Sequence, residues 1–184
     1  MDYKEYQNAR DIVWELLIRH KIDRLPVRVS EICRKEGIKI KLCDNGTEAD
    51  GYSTVLFGTP CIYYNDKCTV GRQRFTVAHE LGHILLGHVG KYELVNREPS
   101  PNDNPIEQAA NVFASRLLAP ACVLWGCGVK SHTEIMQLCD ISETAAKYRM
   151  ERMNELYRRN KFLISSIERQ VFRQFEQYIS DHRL

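Results

Sequence analysis

The chain has 184 residues, with 26 basic side chains against 24 acidic ones and a net charge of +2, so no global field draws it to nucleic acid or to an anionic membrane. That length fills one well-packed domain with room for a small appended lobe. Seven cysteines, an odd number with no CxxC pair, argue against a thiolate zinc site and a secreted disulfide framework and point to reduced core thiols. The amino end lacks the basic-then-apolar order of a signal peptide, and no apolar run approaches membrane-spanning length, so a cytoplasmic protein without a membrane role is expected.

Residues 3 to about 20 form a first amphipathic helix with Tyr6, Val13, Leu16 and Leu17 near one face. Pro26 is expected to open a short helix through Ile32 and Cys33, which Gly37 ends in a left-handed cap. Ile38 to Leu42 alternates apolar and basic residues, the pattern of a strand with one face in water, and Asp44-Asn45-Gly46 signals a turn. Gly51 to Phe57 and Cys61 to Tyr64 are β-prone runs about Gly58-Thr59-Pro60 and predict a hairpin. A small sheet placed before a helix either covers the core or offers an edge to which an extended peptide adds as another strand.

Phe75 to His88 reads as one helix carrying His79, Glu80 and His83. At about 100° per residue the two histidines lie one turn apart on one side, able to converge on a metal ion, with Glu80 beside them as a general base for hydrolysis. The pattern fixes only three residues and also occurs by chance. Here it is set among Phe75, Ala78, Leu81, Ile84, Leu85 and Leu86, where polar side chains are costly unless they are used. Gly82, which costs about 1 kcal/mol of helix propensity, predicts close approach of another backbone. His88 is set aside as a ligand because, on a continuing helix, it points about 180° away from His79. Gly90 to Asn104, polar and carrying Pro99 and Pro101, is expected to be a loop beside the site, a candidate lid.

Asn104-Pro105-Ile106-Glu107 announces a further helix, with Asn104 as N-cap and Pro105 at its first position. Glu107 has two readings. As the third helical residue it completes a capping box; as a carboxylate it supplies a third metal ligand and leaves a fourth position open for water. Local context favours the cap. Asn111, one turn on, is placed to orient a ligand histidine from behind.

Further on, Ser131 to Cys139, Asp140 to Ser142 and Glu143 to Met150 read as helix, turn and helix, each helix opened by a hydroxyl cap. One reading makes Lys147, Arg149 and Arg152 a DNA-contact face. The favoured reading is a helical lobe packed through Ile135, Leu138, Ala145 and Met150, since Glu143 and Glu151 break the basic face. Phe162 to Ile179 predicts one last helix with a broad apolar stripe that packs on the body or, alternatively, docks a partner.

The run Phe75-Thr-Val-Ala-His-Glu-Leu-Gly-His83, followed by Glu107-Gln-Ala-Ala-Asn-Val-Phe-Ala114 and Leu117-Leu-Ala-Pro120, resembles the ImmA/IrrE family of metallopeptidases over about residues 25 to 152. The resemblance implies His79 and His83 as ligands, Glu80 as catalytic base and Glu107 as third ligand, in place of the cap alone. It implies a protein substrate, a repressor bearing a helix-turn-helix, cleaved to release prophage, mobile-element or stress genes. Ala119 stands where the family often has methionine. The expected fold is α/β of the α+β kind: a zincin-like core over residues 1–125, its small, mainly antiparallel sheet packed on the histidine helix, and a helical lobe over 126–184. Two histidines and a carboxylate suit zinc, with manganese or iron as alternatives. Tyr63, Tyr148, Arg149 and His132 are the candidates for a substrate edge or an oxyanion contact. The competing function is a non-enzymatic regulator binding its repressor, or DNA, around a structural metal.

Overall fold

The β-prone runs end near Asn65, and there the chain passes from a small sheet into the histidine helix. In the computed structural model, which describes residues 3–43, 49–89 and 104–183, the elements follow as α1 (Tyr3–Arg19), α2 (Val29–Lys35), β1 (Lys39–Leu42), β2 (Gly51–Leu56), β3 (Thr59–Tyr64), α3 (Val70–Leu85), α4 (Pro105–Leu118), α5 (Ala121–Gly126), α6 (His132–Cys139), α7 (Glu143–Arg158), α8 (Ser166–Gln174) and α9 (Glu176–Asp181). They group into two compact units that interleave in sequence: the chain up to Arg10 with Arg28–Ala114, and Asp11–Val27 with Ser115–Leu184. The turn signal at Asp44-Asn45-Gly46 and the candidate lid over 90–103 lie outside the described residues.

The first unit is α+β. Its sheet has the order β1-β3-β2 and is mixed: β2 and β3 pair antiparallel from Gly51↔Tyr64 to Leu56↔Thr59, while β1 adds parallel to β3 from Lys39↔Cys61 to Leu42↔Tyr64. The sequence pattern puts the hairpin turn at Gly58 to Pro60; the structure makes it at Phe57 and Gly58, whose φ angles of +50° and +78° suit a two-residue turn that follows the strand twist. Pro60 therefore belongs to β3, opposite Val55 and just before Cys61, the first residue paired by β1. Alternation then divides the faces. Ser53 and Ile62 share the face turned to α3, with Ile62 fully buried, whereas the rings of Tyr52 and Tyr63 stack at 4.7 Å on the other, with the Lys41 ammonium 5.7 Å from the Tyr63 ring centre. Helix α2 starts later than its proline predicts. Arg28 is still non-helical (φ −86°, ψ 83°), and Val27 and Val29 are buried on either side of it.

The second unit is helical. Ser131 and Glu134 form the reciprocal capping box at the start of α6, Asp140 turns the chain in the left-handed region, and the Ser142 hydroxyl accepts from Ala145 N to start α7. Of the residues expected to pack this lobe, Ile135 and Met150 are buried and Leu138 and Ala145 half-buried; Cys139, Ile141, Ala146 and Met153 are buried as well. Arg149 is only 3% exposed and cannot contribute to an open contact face; Lys147 is paired with Glu143, and Arg152 with Glu155. The expected single last helix is two. The Ser165 hydroxyl accepts from Glu168 N to open α8, and Phe175 separates it from α9. Their apolar stripe packs inside the unit, where Phe172 and Ile179 leave no room for a side chain at Gly126 and Gln174 Nε2 donates to the carbonyls of Leu17 and Ile22. The stretch Pro105–Gly126 is apolar and long enough by composition to cross a membrane, yet 67% of its most apolar window is buried in the fold, as in a core helix.

Candidate metal centre

Helix α3 is positioned by the strand before it. Gly51 lets β2 start so close to α3 that an added Cβ would lie 2.4 Å from Tyr63 O and 2.5 Å from Thr76 Cγ2. Arg72 Nε donates to Asp50 Oδ2 at 2.8 Å and ties the same end of β2 to the first turns of α3. The helix then carries His79, Glu80 and His83 inward: Glu80 is fully buried, His83 is 7% exposed and His79 is half-buried.

Helix α4 brings the third group. Asn104 caps it, its Oδ1 accepting from Ile106 N at 3.0 Å, so the cap is served without Glu107. The Glu107 carboxylate turns instead to the histidines, Oε2 lying 3.1 Å from His79 Nε2 and Oε1 3.3 Å from His83 Nε2. The two Nε2 atoms are 2.9 Å apart. The two imidazoles beside it, His79 first and then His83, hold the Glu107 carboxyl far below the usual carboxylate range.

Three donor atoms with edges of 2.9–3.3 Å resemble one face of a tetrahedron. Bonds of 2.0–2.1 Å to a central zinc give edges of about 3.3 Å. His79, His83 and Glu107 are the group of ligating side chains, among the described residues, that could hold a metal ion. The site is packed as well as charged. An added Cβ at Gly82 would meet Phe113 of α4 at 3.0–3.2 Å, so the close neighbour of this glycine is an aromatic ring and not the backbone its position suggests.

Each histidine is also held from behind. His79 Nδ1 lies 2.9 Å from Asn111 Oδ1, an acceptor that requires the proton on Nδ1 and leaves the Nε2 lone pair facing the centre. Ser53 Oγ donates to Glu80 Oε2 at 2.7 Å, linking β2 to the buried carboxylate. No local signal joins these two residues, and Ser53 is found only in the folded chain. Tyr63 is on the central strand β3 with its ring stacked on Tyr52, Tyr148 is exposed on α7, Arg149 is buried there, and His132 opens α6.

His88 differs from its expected place. Helix α3 does not continue to it: Gly87, at φ +73°, ends the helix, Gly87 N bonds to Ile84 O at 3.1 Å and His88 N to His83 O at 2.9 Å, the paired bonds of a Schellman motif. This turns the His88 ring back toward His83, the two Nδ1 atoms 3.1 Å apart. Gly87, just after the last apolar periodic residue, was the signal for it.

A family model described as IrrE N-terminal-like domain, peptidase M78, matches residues 33–151, a span that includes β1–β3, α3, α4 and every residue of the centre. A comparison with curated proteins returned no match.

Proposed function

The chain belongs to the peptidase M78 family of IrrE N-terminal-like domains, and on that premise of a metallopeptidase-type domain we propose that it is a metal-dependent endopeptidase whose ligands are His79, His83 and Glu107. The observation that carries this reading is the convergence of two Nε2 atoms and one carboxylate within 2.9–3.3 Å, with Glu80 buried on the same helix as the two histidines. A bound divalent ion, zinc in the first instance and manganese or iron as alternatives, supplies Lewis acidity toward a peptide carbonyl and a water molecule. Glu80 takes the proton of the attacking water and delivers it to the leaving amine. Asn111 keeps His79 in the ligating tautomer.

The substrate side is supported by topology. Strand β2 is at the edge of the sheet and carries Ser53, which touches the proposed base, so an extended segment that pairs with β2 is brought along the reacting groups. The protein substrate proposed is a repressor bearing a helix-turn-helix, cleaved in the cytoplasm to release the genes it holds silent. Direct DNA binding by the chain is not needed for that role, and Arg149, the central member of the basic trio on α7, is buried.

Glu80→Gln tests the mechanism. The variant is expected to keep its metal and to lose cleavage of candidate helix-turn-helix repressors by about 10²-fold or more, read by mass spectrometry of the products. Undiminished cleavage by Glu80→Gln removes Glu80 from the mechanism; a wild type that cleaves none of the repressors it binds, with Glu80→Gln releasing their genes equally well, leaves a binding module with a structural metal.

A further inference from the structure

The two ligand histidines are supported by unlike groups. Behind His79 stands an amide oxygen, which can only accept a hydrogen bond; behind His83 stands another imidazole, whose Nδ1 can donate or accept. Chemistry removes that freedom. For His83 to offer the Nε2 lone pair to an ion, its proton must be on Nδ1, and the neighbouring His88 Nδ1, at 3.1 Å, must then be the acceptor. The proton of His88 is thereby confined to Nε2.

We propose that His88 is a positioning residue of the metal centre that fixes the ligating tautomer and the ring angle of His83. The inference rests on the metallopeptidase reading and extends it to a residue outside the HExxH pattern. Two further observations support it. The Schellman motif is an arrangement in which the residue two beyond the cap comes back over the one three before it, and a contact between apolar side chains usually fills that space; here two imidazoles fill it, with ring centres 5.2 Å apart and planes at 66°. The motif also anchors the backbone of His88 directly to the carbonyl of His83 at 2.9 Å, so the acceptor is attached to the ligand it serves and not to a separate element. His83 is consequently held at Nδ1 by His88, while its Nε2 faces Glu107 and His79 Nε2 across the metal position.

The test uses the full chain and two substitutions. His88→Asn places an amide oxygen where Nδ1 stands, as Asn111 does for His79; His88→Leu fills the space and removes the acceptor. Zinc affinity is measured by competition with a chromophoric chelator, alongside the melting temperature of the metal-free proteins. The expected result is a loss of about 10- to 100-fold for His88→Leu, with His88→Asn within a few-fold of wild type and similar metal-free melting temperatures. In the zinc-loaded wild type, long-range ¹⁵N spectra should show His83 protonated on Nδ1 and His88 on Nε2. If wild type binds one ion and His88→Leu binds it as tightly, or if both variants weaken equally, or if His88 carries its proton on Nδ1, the assignment is overturned and the peptidase reading stands. A wild type that takes up neither zinc, manganese nor iron overturns both.

Discussion

Replacing Gly82 by alanine separates two opposed effects at the contact between α3 and α4. In an isolated helix the change stabilises by about 1 kcal/mol. In this fold the new methyl carbon meets Phe113 Cδ1 at 3.0 Å, Cγ at 3.1 Å and Cβ at 3.2 Å, several tenths of an ångström inside ordinary contact distance. Phe113 is completely buried, as are Ala110 and Leu117 on the same helix, all three at 0% exposure, so the ring has no free space to swing into and the strain falls on α4. Overpacking of this kind costs about 1–3 kcal/mol, which exceeds the helix gain and leaves a net loss of about 1 kcal/mol. For a chain of this size that lowers the melting temperature by about 2–4 °C. The displacement also reaches the metal centre, because Glu107 and Asn111 belong to α4 and a ligand set tolerates shifts of only about 0.2 Å. Thermal melts and chelator competition on Gly82→Ala, Phe113→Leu and the double variant read both effects, and the double variant is expected to be less destabilised than the sum of the singles by about 1 kcal/mol. A Gly82→Ala protein that melts higher than wild type and holds zinc equally well refutes the argument.

Glu107→Ala, assayed by elemental mass spectrometry after dialysis, is expected to lose or strongly weaken an ion that wild type holds one per chain; full retention returns Glu107 to the helix start and reopens the third ligand. Phe57→Asn is expected to stabilise by about 0.5–1 kcal/mol, because a fully exposed phenylalanine at φ +50° pays for a left-handed backbone without burying its ring; a lower denaturation midpoint contradicts this. Burial pushes the Cys33 thiol up to about 12 and the Cys127 thiol up to about 11, and raises the Cys122 thiol as well, so thiol reagents at pH 8 should leave these three unmodified in the native protein. In the unfolded chain the same thiols ionise near pH 8.5. Unfolding therefore releases protons as the pH rises past that value, and stability should fall by up to about 1.4 kcal/mol per pH unit for each thiol; a denaturation midpoint constant from pH 8 to 10 rules this out.

Features that depend on neighbours along the chain were legible before folding. His79 and His83 share a helix face because of the helical repeat, Ser131, Ser142 and Asn104 open helices because their side chains reach the first free backbone N–H groups, β1 follows from an alternating run, and β2 and β3 from β-prone runs about a glycine turn. Where local rules failed, a short-range competitor was present: Gly87 ended α3 before His88, and Phe57 with Gly58 made a tighter turn than Gly58 with Pro60. The tertiary structure alone decided the rest. A glutamate at the third position of a helix can swing to its cap or away from it at similar cost, and only the packing of α3 beside α4 turned both Glu107 oxygens to the imidazoles. Ser53 reached Glu80 across 27 positions of sequence because the sheet places β2 at its edge against α3. Such contacts carry no periodic or capping signature; they exist because distant segments bury the same apolar surface, and the polar groups brought in with them must then find each other.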